Sequence, residues 1–175
     1  MQVSIPAGDG AGSAVTSGSG DNNGYEVFPE NAFANDSIFA VDNNSGTNKN
    51  TSCTSDRKDR HVFSNYGFSI PSGATITGIE VRADARVDGT AGAPKLCVQI
   101  SWDGGTTWTA VKSTPTLTTS EATYLLGSTS DTWGRTWASG DFTDMNFRIR
   151  VTDVAGNNSR DFSLDWLAVR VLYQP

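Results

Sequence analysis

Alternation with a period of two runs through most of this chain. Between Ile79 and Val87, the residues Ile79, Val81, Ala83, Ala85 and Val87 alternate with Glu80, Arg82, Asp84 and Arg86, giving one face for a core and one for solvent. Leu96, Val98, Ile100 and Trp102 form a second such face, and Met145, Phe147, Ile149 and Val151 a third, opposite Asn146, Arg148, Arg150 and Thr152. Val62, Ser64, Tyr66, Phe68 and Ile70 share a face before the Pro71-Ser72-Gly73 turn, and short strands are predicted over 37–41 and 122–126. The Asp103-Gly104-Gly105 turn predicts a hairpin into residues 107–111. The last strand, from Phe162 to Tyr173, is apolar on both faces in its second half: Trp166, Ala168 and Leu172 lie on one, Leu167, Val169, Val171 and Tyr173 on the other. It reads as a central or covered strand. No helix-period segment competes, and only residues 139–144 hold a helical turn. The fold class is all-β, an antiparallel two-sheet sandwich of jelly-roll type, with Ile79, Val81, Val98, Ile100, Phe147, Ile149, Leu164 and Trp166 as its core.

The first residues are patterned differently. Met1, Val3 and Ile5 alternate with Gln2 and Ser4 as a strand, and a Gly/Ser/Asp-rich run follows with little to bury. Residues 1–24 therefore read as an extended N-terminal arm and linker, and 25–175 as the sandwich domain. Such an arm adds a strand to an exposed sheet edge, either in a neighbouring subunit or folded back on its own domain.

Composition narrows the class of partner. The chain has 175 residues and a formal charge of −6, with a pI near 4.6, which argues against general binding to nucleic acid or anionic membranes. No apolar run approaches the roughly 20 residues that span a bilayer, so no membrane insertion is expected, and the first residues lack a signal-type apolar region. The two cysteines are Cys53, in a polar loop, and Cys97, which points away from the Leu96/Val98 face. A Cys53–Cys97 bridge would pin the 42–59 loop to the outer sheet face and imply an oxidising compartment; two unrelated free thiols are the alternative.

The motifs name no reaction. Ser101, Asp103, Gly105, Thr107 and Trp108 resemble the Asp-box of sialidases and related β-propellers, a structural hairpin in those families. Residues 70–81, the same hairpin, residues 131–137 and residues 165–171 together resemble a jelly-roll domain of uncharacterised bacterial surface and phage-associated proteins, across about 60–175. That resemblance implies a structural or adhesive role. The single histidine, His61, reads as a solvated strand-end residue with no nucleophile tied to it. Asp141, Asp144, Asp161 and Asp165 read as loop and sheet-face carboxylates, although a pair of them is what glycoside hydrolysis would need. Asp42, Asn44 and Asn48 have the oxygen-ligand density of a calcium loop, against the alternative of a polar turn. Trp133 and Trp137 form either a sugar-stacking platform or sandwich-edge packing. Glycosylation sequons stand at Asn35, Asn43, Asn50 and Asn157.

These features predict a non-enzymatic structural subunit of an extracellular or cell-surface filament, self-assembled through Met1, Val3 and Ile5 and needing no cofactor beyond a structural calcium. The alternatives are a carbohydrate-binding or adhesive module, with glycans as partners, and a virion structural protein.

Overall fold

A computed structural model describes residues 9–10 and 12–175; Met1, Val3 and Ile5 lie outside the described residues. Ten strands follow in chain order: β1 (Asp9–Gly10), β2 (Ser13–Thr16), β3 (Ala40–Asp42), β4 (Arg60–Ser64), β5 (Thr75–Val87), β6 (Lys95–Ser101), β7 (Lys112–Ser113), β8 (Ala122–Ser128), β9 (Arg148–Val154) and β10 (Phe162–Gln174). Single 3₁₀ turns cover Pro29–Ala32 and Ser139–Phe142. One sheet has the order β1-β10-β5-β8, with β3 also on β10; the other runs β2-β4-β9-β6-β7. Every ladder is antiparallel. Apart from β1 and β2, the orders β3-β10-β5-β8 and β4-β9-β6-β7 are those of a jelly roll, as the alternation predicts.

The facing residues interdigitate between the sheets. Ile79, Val81 and Ala83 of β5 and Leu164, Leu167 and Val169 of β10 meet Val98 and Ile100 of β6 and Ile149 and Val151 of β9, all buried. At one end an aromatic group closes the sandwich: Phe68 packs on Phe147 and Phe142 at ring distances of 5.2 and 5.8 Å, with Tyr66 beside them. Three readings of phase are corrected here. β4 turns His61 and Phe63 inward, not Val62 and Ser64, because the left-handed backbone at Asn65 (φ 61°) breaks the alternation before Tyr66, and that at Gly67 (φ 67°) breaks it again before Phe68. The hairpin after β6 is shorter than predicted, since only Lys112 and Ser113 pair, with Val98 and Cys97.

The third correction concerns β10. Its register against β5 slips between Leu164 and Trp166, so Asp165 is an extra, bulged residue. Leu164 and Leu167 both face the core, and Trp166 leaves the core position that strict alternation assigns to it, standing half-exposed on the outer face.

The segment read as a linker pairs with its own chain. Asp9–Gly10 lie against Arg170 and Val169 of β10, and Ser13–Thr16 against Ser64–His61 of β4. Backbone amides and carbonyls provide this order without needing large side chains. These pairings involve the linker and not the arm residues Met1, Val3 and Ile5, and the filament gains no support from the described residues.

Cys53 and Cys97 are joined by a disulfide, with Cα atoms 5.5 Å apart across 44 residues of sequence. It ties the 43–59 loop to β6, places Cys97 under cover, and suggests a location outside the reducing cytosol. Closing a loop of this length stabilises the fold by about 4 kcal/mol in a chain-entropy account. Reduction, or a paired Cys53→Ser/Cys97→Ser substitution, is therefore expected to lower the guanidinium midpoint markedly while leaving the β-type circular dichroism spectrum. An unchanged midpoint would show that the bridge does not restrain the unfolded chain.

Candidate functional site

Two polar clusters stand out, one inside the sandwich and one on its outer surface. The inner one gathers Asp42 at the end of β3, Lys58 and Asp59 before β4, and Asp153 on β9, all almost fully buried. Lys58 Nζ donates to Ser45 Oγ at 3.2 Å and to the Ala155 carbonyl at 3.0 Å; Tyr25 Oη donates to Asp153 Oδ1 at 3.1 Å. Burial raises all three carboxyl groups, Asp153 to about 7 and Asp59 to about 8, with Asp153 adding to the shift at Asp42 and Asp21 to that at Asp59. Burial lowers Lys58, against the pull of the same acids. Here protons and one lysine keep charge out of the interior, which is a structural arrangement.

The calcium loop expected from Asp42, Asn44 and Asn48 is not assembled. Asp42 is wholly buried in this cluster, whereas Asn44 is exposed, with its backbone N–H donating to Asp161 Oδ1 at 3.1 Å. His61 is likewise no solvated residue: it is buried against Phe63 at 5.1 Å, and its Nδ1 accepts from the Tyr25 N–H at 3.0 Å. Burial pushes it down to about 4.

The outer cluster lies on the β10-β5-β8 sheet, whose wet face is built by the alternation read in β5. In register across the three strands, Arg170, Glu80 and Gly127 form one row, Ala168, Arg82 and Leu125 the next, Trp166, Asp84 and Thr123 a third, and Ser163 and Arg86 a fourth on β10 and β5. Arg82 grips Asp84 through two contacts, Nε to Oδ1 at 3.0 Å and Nη2 to Oδ2 at 2.6 Å, and its guanidinium lies 4.8 Å over the Trp166 ring. Thr123 Oγ1 donates to Asp84 Oδ1 at 2.6 Å, and Arg170 pairs with Glu80 at 3.4 Å. Arg86 covers Phe39 at 4.4 Å.

Two clefts open along this face. One of about 200 Å³ is lined by Glu80, Arg82, Thr123, Leu125, Ala168 and Arg170; it exists because Ala168 leaves a hollow among longer neighbours. The other, about 340 Å³, lies at the far end beside Val41, Arg86, Asp88, Thr119 and Ser163. Between them Asp165, re-aimed by its bulge, meets Asp84 and Glu121, one carboxylate oxygen from each lying within 4.8 Å of the other two.

The tryptophans singled out from sequence lie elsewhere and are buried. Trp133 Nε1 donates to the Ile79 carbonyl at 3.0 Å, packed where Gly127 (φ 83°) leaves no room for a Cβ. Trp137 is covered by Phe142, and the Arg135 guanidinium sits 4.4 Å from it and 4.0 Å from Trp102. Their rings cannot form a platform. The Asp-box closes as a local turn, with Thr107 N–H on Asp103 Oδ1 at 2.8 Å and Gly105 N–H on Ser101 Oγ at 2.8 Å; Arg150 lies 4.1 Å over Trp108.

The carboxylates weighed for hydrolysis are scattered. Asp141 pairs with Arg135, Asp144 accepts from the Gly67 N–H, and Asp161 from the Asn44 N–H. The four sequon asparagines lie outside the strands; Asn35 is exposed, and Asn43 is held by Glu26 at 2.7 Å. Asn50 and Asn157 are half-buried, their Oδ1 atoms accepting from Ser52 and Ser159. Asp84, Glu121 and Trp166 escaped the sequence reading of the site. The one available signal was an aspartate, Asp165, interrupting an apolar strand.

No protein-family model and no curated protein sequence matches the chain. Among solved structures it is similar to a truncated AlyQ with CBM32 and alginate lyase domains (16% identity, TM-score 0.48, 96% of this chain and 34% of that one). It is also similar to the CBM22-1–GH10 modules of Clostridium thermocellum endo-1,4-β-D-xylanase 10B in complex with xylohexaose (9%, 0.43, 94% and 28%). A third is the arabinose-bound MgGH51 α-L-arabinofuranosidase (14%, 0.40, 77% and 22%). The chain spans about a third or less of each.

Two outcomes follow for the buried groups. Trp133→Ala is expected to cost about 3–5 kcal/mol, read by chemical denaturation. A loss below about 1 kcal/mol would mean that the ring is not a core element. For the inner acids, a carboxyl raised on folding contributes stability below its unfolded pKa of about 4, and that contribution is lost as pH rises through about 7 for Asp153 and about 8 for Asp59. His61, lowered to about 4, opposes this only between about 4 and 6.5. The melting temperature should therefore be higher at pH 5 than at pH 8, and Asp153→Asn should flatten the dependence. A melting temperature that rises over this interval would contradict the assignment.

Proposed function

We propose that this chain is a non-catalytic carbohydrate-binding module whose glycan lies along the outer face of the β10-β5-β8 sheet. The observation that carries the reading is the cleft beside Trp166, where apolar Leu125 and Ala168 stand in one row with Arg82 and next to Glu80, Arg170 and Thr123. A sugar ring presents apolar C–H faces and a rim of hydroxyl groups. The exposed Leu125 and the partly exposed Trp166 suit the first, and the planar carboxylate and guanidinium groups suit the second, since each can address adjacent hydroxyls with two hydrogen bonds. From Glu80 to Arg86 the face runs about 20 Å at strand spacing, enough for a short oligosaccharide between the two clefts.

The carboxylates of this face favour binding over hydrolysis. Glu80 is paired with Arg170 and Asp84 with Arg82. Asp84 and Asp165 are buried away from a ligand, leaving Glu121 as the accessible acid of its group, whereas glycoside hydrolysis uses two carboxyl groups flanking the bond. A disulfide-stabilised module outside the cytosol meets such polymers at cell surfaces and in the extracellular medium.

The test is binding to a panel of immobilised plant, algal and bacterial polysaccharides, followed by calorimetry on the best of them. Trp166→Ala is expected to weaken binding about tenfold or more without loss of the folded spectrum, while Trp108→Ala on the opposite sheet leaves it unchanged. Absence of binding to every polysaccharide, or equal loss in both variants, would overturn the proposal.

A further inference from the structure

Asp84 on β5, Glu121 ahead of β8 and Asp165 in the β10 bulge come from three separate segments, yet one carboxylate oxygen from each lies within 4.8 Å of the other two. Asp165 is fully buried, and its Oδ2 has no hydrogen-bond partner although it stands in this group; its Oδ1 accepts only a long bond, 3.4 Å, from the Asp36 N–H. A buried carboxylate oxygen without a donor is destabilising unless something positive meets it. The cations nearby do not suffice. Arg82 is bound to Asp84, and Arg86, stacked over Phe39, acts on Glu121 only as a secondary influence. Three carboxylates against Arg82, which is committed to Asp84, and the more weakly acting Arg86 leave negative charge to be balanced.

We propose that Asp84, Glu121 and Asp165 hold a calcium ion. The donor set is oxygen only, which suits a hard divalent cation, and Ca²⁺ places ligands at about 2.3–2.6 Å, so opposite ligands stand about 4.6–5.2 Å apart. A group lying within 4.8 Å fits that sphere. The buried Asp165 and Asp84 form the inner side of the site, and the exposed Glu121 closes it from solvent, with water completing the coordination. The ion would fasten the bulge of β10 to β5 and to the segment before β8, and through Asp36 and Asn35 would steady the 33–36 stretch against the same strands. This inference does not rest on glycan binding, and its test contains no sugar.

Chelator-treated protein is titrated with Tb³⁺, excited through tryptophan, and with CaCl₂ while the melting temperature is followed. Trp166, next to Asp165, is the sensitiser. The expected result is terbium luminescence displaced by Ca²⁺, a rise in melting temperature on the order of 5 °C in excess Ca²⁺, and loss of both in Glu121→Gln, whose exposed position keeps the fold intact. Asp165→Asn should behave alike; if it fails to fold, Glu121→Gln decides alone. The proposal is overturned if the wild-type chain shows neither signal, if Glu121→Gln retains wild-type affinity, or if Mg²⁺ serves as well as Ca²⁺.

Discussion

A strand of thirteen residues that pairs along nearly its whole length with another of thirteen must accommodate sheet twist without losing its ladder, and β10 does so against β5 by slipping register at Asp165 and again after Leu172. Much else in the molecule is a consequence. The first slip keeps Leu164 and Leu167 in the core while releasing one polar residue from the alternation, and that residue is drawn into contact with acids on β5 and ahead of β8. Trp166 is carried to the outer face by the same slip. Without it, an aspartate or a tryptophan would have to face the wrong side of the sheet.

Desolvation distinguishes the two acidic clusters. Inside the sandwich, Asp42, Asp59 and Asp153 are too far from water to remain ionised together, and their affinity for protons rises with only Lys58 in compensation. On the outer sheet Asp84 and Glu80 have arginine partners, and Glu121 faces solvent. The same residue type thus provides interior polar packing in one place and a partly exposed, arginine-paired face in the other.

How much of this was legible in the chain depends on whether a single strand or several had to be read. Period-two alternation placed β5, β6 and β9 and the faces they bury, because each side chain's direction follows from its own strand. The disulfide was legible for the same reason, since Cys97 lies off the core face of β6 and near a polar loop. Where one extra residue shifts the phase, as at Asp165, or a left-handed residue ends a run, as at Asn65, counting by two assigned Trp166 and His61 to the wrong surroundings. The outer site was invisible for a different reason: Asp84, Glu121 and Asp165 are separated by 37 and 44 positions, and only the strand order brings them together. Trp133 and Trp137 illustrate the converse, a conspicuous local motif whose aromatic rings serve the interior.

The two short strands near the start of the chain lie on opposite sheets. β1 runs along β10 and β2 along β4, with two residues between them, so the chain crosses from one layer to the other there and covers a margin of each. Open margins are where sheets recruit foreign strands. In this molecule the segment acts as a seam: a protease that trimmed it through Thr16 would bare the backbone of β4 and part of that of β10 at once. Cover of these two margins is thereby entrusted to six paired residues, Asp9–Gly10 and Ser13–Thr16, that bring little hydrophobic bulk, and it lasts only as long as their backbone stays paired.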